Sequence, residues 1–95
     1  MSGSQAALAE LGRRGGAMAF EAAALYVEAL QAQPLVAPEA FAEVLARHID
    51  QEFDRALGDA AEAWQDGLEV VAFVTFEASM RLAGIRAAKE YLGLD

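Results

Sequence analysis

Apolar positions recur along this chain at three- and four-residue steps, the spacing of helices that bury one face. Phe20, Ala23, Ala24, Val27 and Leu30 share a face of a helix predicted over 17–33. Glu21 and Glu28 sit together on another face, with Met18 and Leu25 beyond them, so this helix offers two apolar strips. Pro34 ends it, because proline lacks the N–H and clashes with the preceding turn. Upstream, Gln5–Leu11 reads as a short helix, interrupted by Gly12 and by Gly15-Gly16. Glycine costs helix stability and permits turns, so residues 1–16 are expected to form a short helix or arm.

The clearest amphipathic segment is 38–57. Phe41, Leu45, Ile49 and Phe53 recur every four residues, opposite Glu39, Glu43, Arg47, Asp50 and Asp54. Pro38 suits a first helical turn, Glu43 and Arg47 are spaced for an i,i+4 ion pair, and Gly58 supplies a stop. Asp59-Ala60-Ala61-Glu62 and Asp66-Gly67-Leu68-Glu69 each have the form of a capping box with Asp in the capping place. They predict a short helix near 60–65, a break at Asp66-Gly67, and a long helix from 67 to about 92 that ends at Gly93. One bent helix over 59–92 is the alternative.

The last helix departs from the one-stripe pattern. Val71, Thr75, Leu82 and Ile85 occupy one side, Phe73, Phe76 and Met80 a second, and Val70, Val74 and Tyr91 a third. A helix apolar all round must be enclosed by other helices. At 1.5 Å per residue it spans roughly 39 Å, and a domain this size has a radius of gyration of ~13 Å, so the helix is about as long as the whole monomer. Two further helices cover two sides. The third calls for a second copy of the chain, as a dimer or larger assembly, or for a partner helix. Val70, Phe73, Val74, Phe76, Met80 and Tyr91 are the interface candidates. Glu77 and Arg81, one turn apart, form an ion pair suited to fixing register in such an interface.

Composition fits this picture. Ala, Leu, Glu, Gln, Arg and Met dominate, all strong helix formers, and 56% of the 95 residues are hydrophobic, too many for a disordered chain. The expected fold is all-α: a small helical bundle in one domain, 1–95, with three main helices and short N-terminal and linking helices. The net charge is −8, and residues 15–46 and 56–80 contain no Lys or Arg. A surface that tracks phosphates needs clustered cations, so direct nucleic-acid binding is not expected. A basic protein is a suitable partner for such an acidic chain. The apolar run 70–76 falls far short of the ~20 residues needed to cross a bilayer, and no signal peptide is recognisable. A cytoplasmic protein without membrane contact is the expectation.

Candidate chemistry is sparse, and neither a catalytic nor a cofactor motif is present. His48 and Glu52 lie one turn apart, so both can face one metal ion, with Glu21 and Glu28 of the neighbouring helix completing a carboxylate-rich site. The Glu-x-x-His pairing of di-iron bundles is missing. Phosphorelay domains carry a lysine and a small residue after their histidine, whereas Ile49, Asp50, Gln51 and Glu52 follow His48. Ser79 lacks the Asp-Ser-Leu setting of acyl carrier proteins. The tail Tyr91-Leu92-Gly93-Leu94-Asp95 resembles the Tyr-x-x-x-Asp/Glu ending of helical-hairpin type VII secretion substrates. Their Trp-x-Gly turn is not matched, since two residues separate Trp64 from Gly67. The sequence therefore favours a non-enzymatic interaction protein such as an adaptor or assembly subunit. The alternatives are a metal-carboxylate bundle and an acidic inhibitor that fills a basic groove.

Overall fold

Helix formers dominate the chain, and the described residues, 3–31 and 38–94 of a computed structural model, turn that preference into three long helices. These are α1 (Gly3–Gln31), α2 (Pro38–Gln65) and α3 (Glu69–Leu92). No strand occurs among the described residues, and none of their helices is long and apolar enough to cross a membrane. The helix end expected at Gln33 and the Pro34 stop lie outside the described residues.

Two of the expected breaks are absent. Gly12, Gly15 and Gly16 are all inside α1, so no separate N-terminal arm precedes the first full helix. Gly58 and the Asp59–Glu62 box are inside α2, which continues to Gln65. An interior glycine costs a helix only about 1 kcal/mol relative to alanine, and tertiary packing outweighs that.

The break at Asp66-Gly67 does occur, but its cause differs from the expected capping box. Gly67 adopts a left-handed conformation with φ 77°. Its N–H donates to the Trp64 carbonyl at 3.0 Å, and the Leu68 N–H donates to the Ala63 carbonyl at 2.9 Å. This is a Schellman cap, which satisfies the last carbonyls of α2 while reversing the chain. Leu68 then caps α3 with no side-chain hydrogen bond, and its own carbonyl receives the Ala72 N–H at 2.9 Å. Gly93 closes α3 with the same geometry.

Core contacts give an up-down-up arrangement. At one end Ala19, Ala23 and Val27 of α1 meet Phe41 and Leu45 of α2 and Ala87 and Ala88 of α3. At the other end Leu11 of α1 meets Ala56 and Ala60 of α2 and Ala72, Phe76 and Met80 of α3. Within each layer an edge-to-face ring pair ties α2 to α3, Phe41 to Tyr91 at 5.3 Å and Phe53 to Phe76 at 6.1 Å. No charged or polar residue is buried among the described residues.

Between the layers α1 and α3 cross very closely. A Cβ built on Gly84 would lie 2.1 Å from the Ala19 carbonyl oxygen, so the two backbones are in contact. One turn earlier in α1, Gly15 receives the Phe76 ring and the Met80 sulfur, which a Cβ there would meet at 3.0 and 3.2 Å. The supposed helix breaker is therefore a notch for α3. The radius of gyration is 14.5 Å and the extents are 44 × 19 × 19 Å. A globule of this length would have a radius of gyration of about 12–13 Å, so the bundle is a rod with much of its helix surface outside.

These glycines separate by substitution. Gly84→Ala forces α1 and α3 apart and should cost about 3 kcal/mol, at the upper end of ordinary overpacking. Gly16 and Gly58 have nothing within 4 Å of a built Cβ, so alanine at either site should stabilise by about 0.5–1 kcal/mol. Thermal unfolding of the three variants checks the opposite signs. A harmless Gly84→Ala would refute the close crossing.

Candidate interaction surface

The core face of α3 is its small-residue face. Ala72, Phe76, Met80, Ala83, Gly84, Ala87 and Ala88 are buried, and only Phe76 and Met80 among them are large. Most of the remaining bulk of α3 therefore points outward. Val70 is 76% exposed, Val74 57%, Val71 48% and Leu82 45%. Val71, Thr75, Ala78, Leu82 and Ile85 follow one another at steps of four and three, which lines them up as a seam along the outside of the helix. All but the half-buried Ile85 are exposed.

Of the six residues expected at an interface, Val70, Phe73 and Val74 are at the surface. Phe76 and Met80 are not: both are fully buried inside the monomer, seated in the Gly15 notch. Tyr91 is half-buried, its ring edge-on to Phe41. Phe73 carries the Arg14 guanidinium 5.9 Å from its ring centre, a cation–π contact. With Leu11 and Trp64 these residues line a shallow cleft of about 190 Å³ between α1 and the α2–α3 turn. Glu77 and Arg81 form the expected ion pair at 2.7 Å, on the flank of α3.

On the opposite flank a groove of about 360 Å³ runs between α2 and the start of α3. Ala63, Leu68, Val71 and Thr75 form its apolar part, and Asp59, Glu62 and Asp66 its acidic part. The acidic end of the groove therefore adjoins the apolar seam at Val71 and Thr75.

The possible metal ligands are not brought together. The His48 ring Nε2 lies 3.2 Å from Glu90 Oε1. Glu52 is taken up by Arg55 and, at 3.5 Å, by Arg86. Glu21 and Glu28 are exposed on α1. No group of three or more His, Asp or Glu among the described residues is arranged to hold a metal ion. Arg47 leaves its expected partner Glu43 and reaches across to α3 instead. It donates from Nη1 to Glu90 Oε1 at 3.0 Å and from Nη2 to Oε2, a two-pronged grip on one carboxylate. The hydrogen bonds from Arg47 and then His48 hold the Glu90 carboxyl well below its ordinary 4.5, at about 2.

Val71 and Leu82, both exposed, lie outside the six residues expected at an interface. A signal was available in the alanines and glycine at 72, 83, 84, 87 and 88, because small residues mark the side on which helices approach most closely. Comparison with family models, with curated proteins and with solved structures returned no match for this chain.

The Glu90 clamp sets a pH dependence. Its folded pKa is depressed, so its stabilisation is complete above 4.5 and is lost as the pH falls toward 2. Glu90→Gln should therefore melt below the unsubstituted protein at pH 7, with the gap in Tm closing between pH 4.5 and 2. A gap that stays constant across that window would mean the carboxylate contributes nothing through its charge.

Proposed function

We propose that the protein is a non-enzymatic assembly module that works by burying the outer face of α3 against another helical surface. The observation that carries this reading is the run of exposed Val70, Val71, Val74 and Leu82 on a single helix. Each square ångström of that surface left wet forfeits about 25 cal/mol, and contiguous exposed apolar patches mark interaction sites. The acidic remainder of the surface limits non-specific association. Val70, Phe73 and Val74 extend the patch toward α1, and the Glu77–Arg81 pair borders it as a polar rim.

A second reading draws on the groove beside α3. Its acidic Asp59, Glu62 and Asp66 above an apolar floor suit a basic amphipathic partner helix. Glu39, Glu43, Asp50 and Asp54, all exposed on α2, would add to that attraction.

Val74→Glu combined with Leu82→Glu tests the main reading, because both positions are exposed and the fold should survive. In gently lysed native cells the unsubstituted protein should migrate on native gels as a complex larger than one chain. The double variant should migrate as a single chain with unchanged helical circular dichroism. An unsubstituted protein that runs as a monomer in the extract would end this proposal.

A further inference from the structure

We infer that the partner of the α3 outer face is a second copy of this chain, packed antiparallel about a twofold axis near Ala78. This rests on the assembly reading above and adds the identity and orientation of the occupant. Charge complementarity along one face selects this occupant.

The seam Val71, Thr75, Ala78, Leu82, Ile85 has Lys89 as its next position at the same spacing. Its two ends carry opposite charge. At the start of α3 the flanking groove is lined by Asp59, Glu62 and Asp66. Of these only Asp59 has a basic partner among the described residues, Arg55 at 3.2 Å. At the far end stand Lys89, which has no acidic partner among the described residues, and Arg86, whose contact with Glu52 is a loose 3.5 Å. The same face is thus acidic at one end, apolar in the middle and basic at the other.

A face built this way complements itself under a twofold axis, which places each patch on one subunit against its counterpart on the other. With Ala78 at the axis, Val71 and Ile85 lie equally far on either side, so each meets the other across the interface. Leu82 meets Val74 in the same way. Lys89 is then carried to the Asp66–Gly67 turn of the partner subunit, against the acidic groove. The parallel alternative sets three carboxylates against three carboxylates, and like charges placed together disfavour it. Thr75 and Ala78 are small at the centre, so the axes can approach while the larger side chains fill the flanks.

Sedimentation equilibrium of the purified full chain, with circular dichroism as the folding control, tests this. The unsubstituted protein should dimerise, and Leu82→Glu should abolish dimerisation without loss of helix. Lys89→Glu and Asp66→Lys, each of which turns two attractive contacts repulsive, should each weaken the dimer about tenfold or more at low salt. Lys89→Glu with Asp66→Lys restores opposite charges and should recover most of the lost affinity. A double variant no tighter than the singles overturns the antiparallel pairing. A purified protein that stays monomeric while still forming a larger complex in native extract overturns the second copy as partner and leaves the assembly reading standing. A monomer that instead binds a synthetic Lys-rich amphipathic helix assigns the face to a basic partner and also overturns it.

Discussion

The contact of Gly84 with the Ala19 backbone governs the rest of the structure. A helix pair that meets backbone to backbone has little room for side chains at the crossing, so small residues gather on that side of α3. The larger side chains of α3 then have two destinations. Phe76 and Met80 fit beside the crossing because Gly15 leaves space for them. Val70, Val71, Val74 and Leu82 are turned outward. The exposed patch is therefore not a defect of packing. It is the geometric counterpart of a core made mostly of alanine.

Much of the helical layout was legible in the sequence. The four-residue rhythm of Phe41, Leu45, Ile49 and Phe53 identified the inward face of α2, and all four are buried or half-buried. The reversal at Asp66-Gly67 was also legible, although a left-handed glycine and backbone hydrogen bonds produce it where a side-chain cap was expected. The glycines misled. Read locally, Gly15, Gly16 and Gly58 weaken a helix; in the fold each weakening is small beside the burial gained by continuing α1 and α2. Gly15 in particular serves α3, a partner some sixty residues away that a local pattern does not reveal.

The candidate surface was legible only in part. That α3 was too apolar for one stripe was visible in its composition. Which side would be covered was not, because a hydrophobic count ranks Val71 and Leu82 above Ala83 and Gly84, whereas close packing ranks them in reverse. His48 shows a related limit. One turn of spacing relates it to Glu52, but the fold gives it Glu90 of another helix and gives Glu52 to Arg55 and Arg86. Charge partners on this rod are set by which helices lie side by side as much as by spacing within one helix.

The α2–α3 reversal has a consequence for how the chain assembles. Its hydrogen bonds all span five residues or fewer, so the turn that sets these two helices side by side forms from local contacts. The Ala19–Gly84 crossing joins residues far apart in sequence, and closing so long a loop carries an entropic cost that must be met before the contact is gained. Contact order therefore favours a hairpin that forms before α1 docks on it. What α1 adds is the Gly15 side of the seat that holds Phe76 and Met80, so a hairpin without it would carry more bare apolar surface than the outer valines alone.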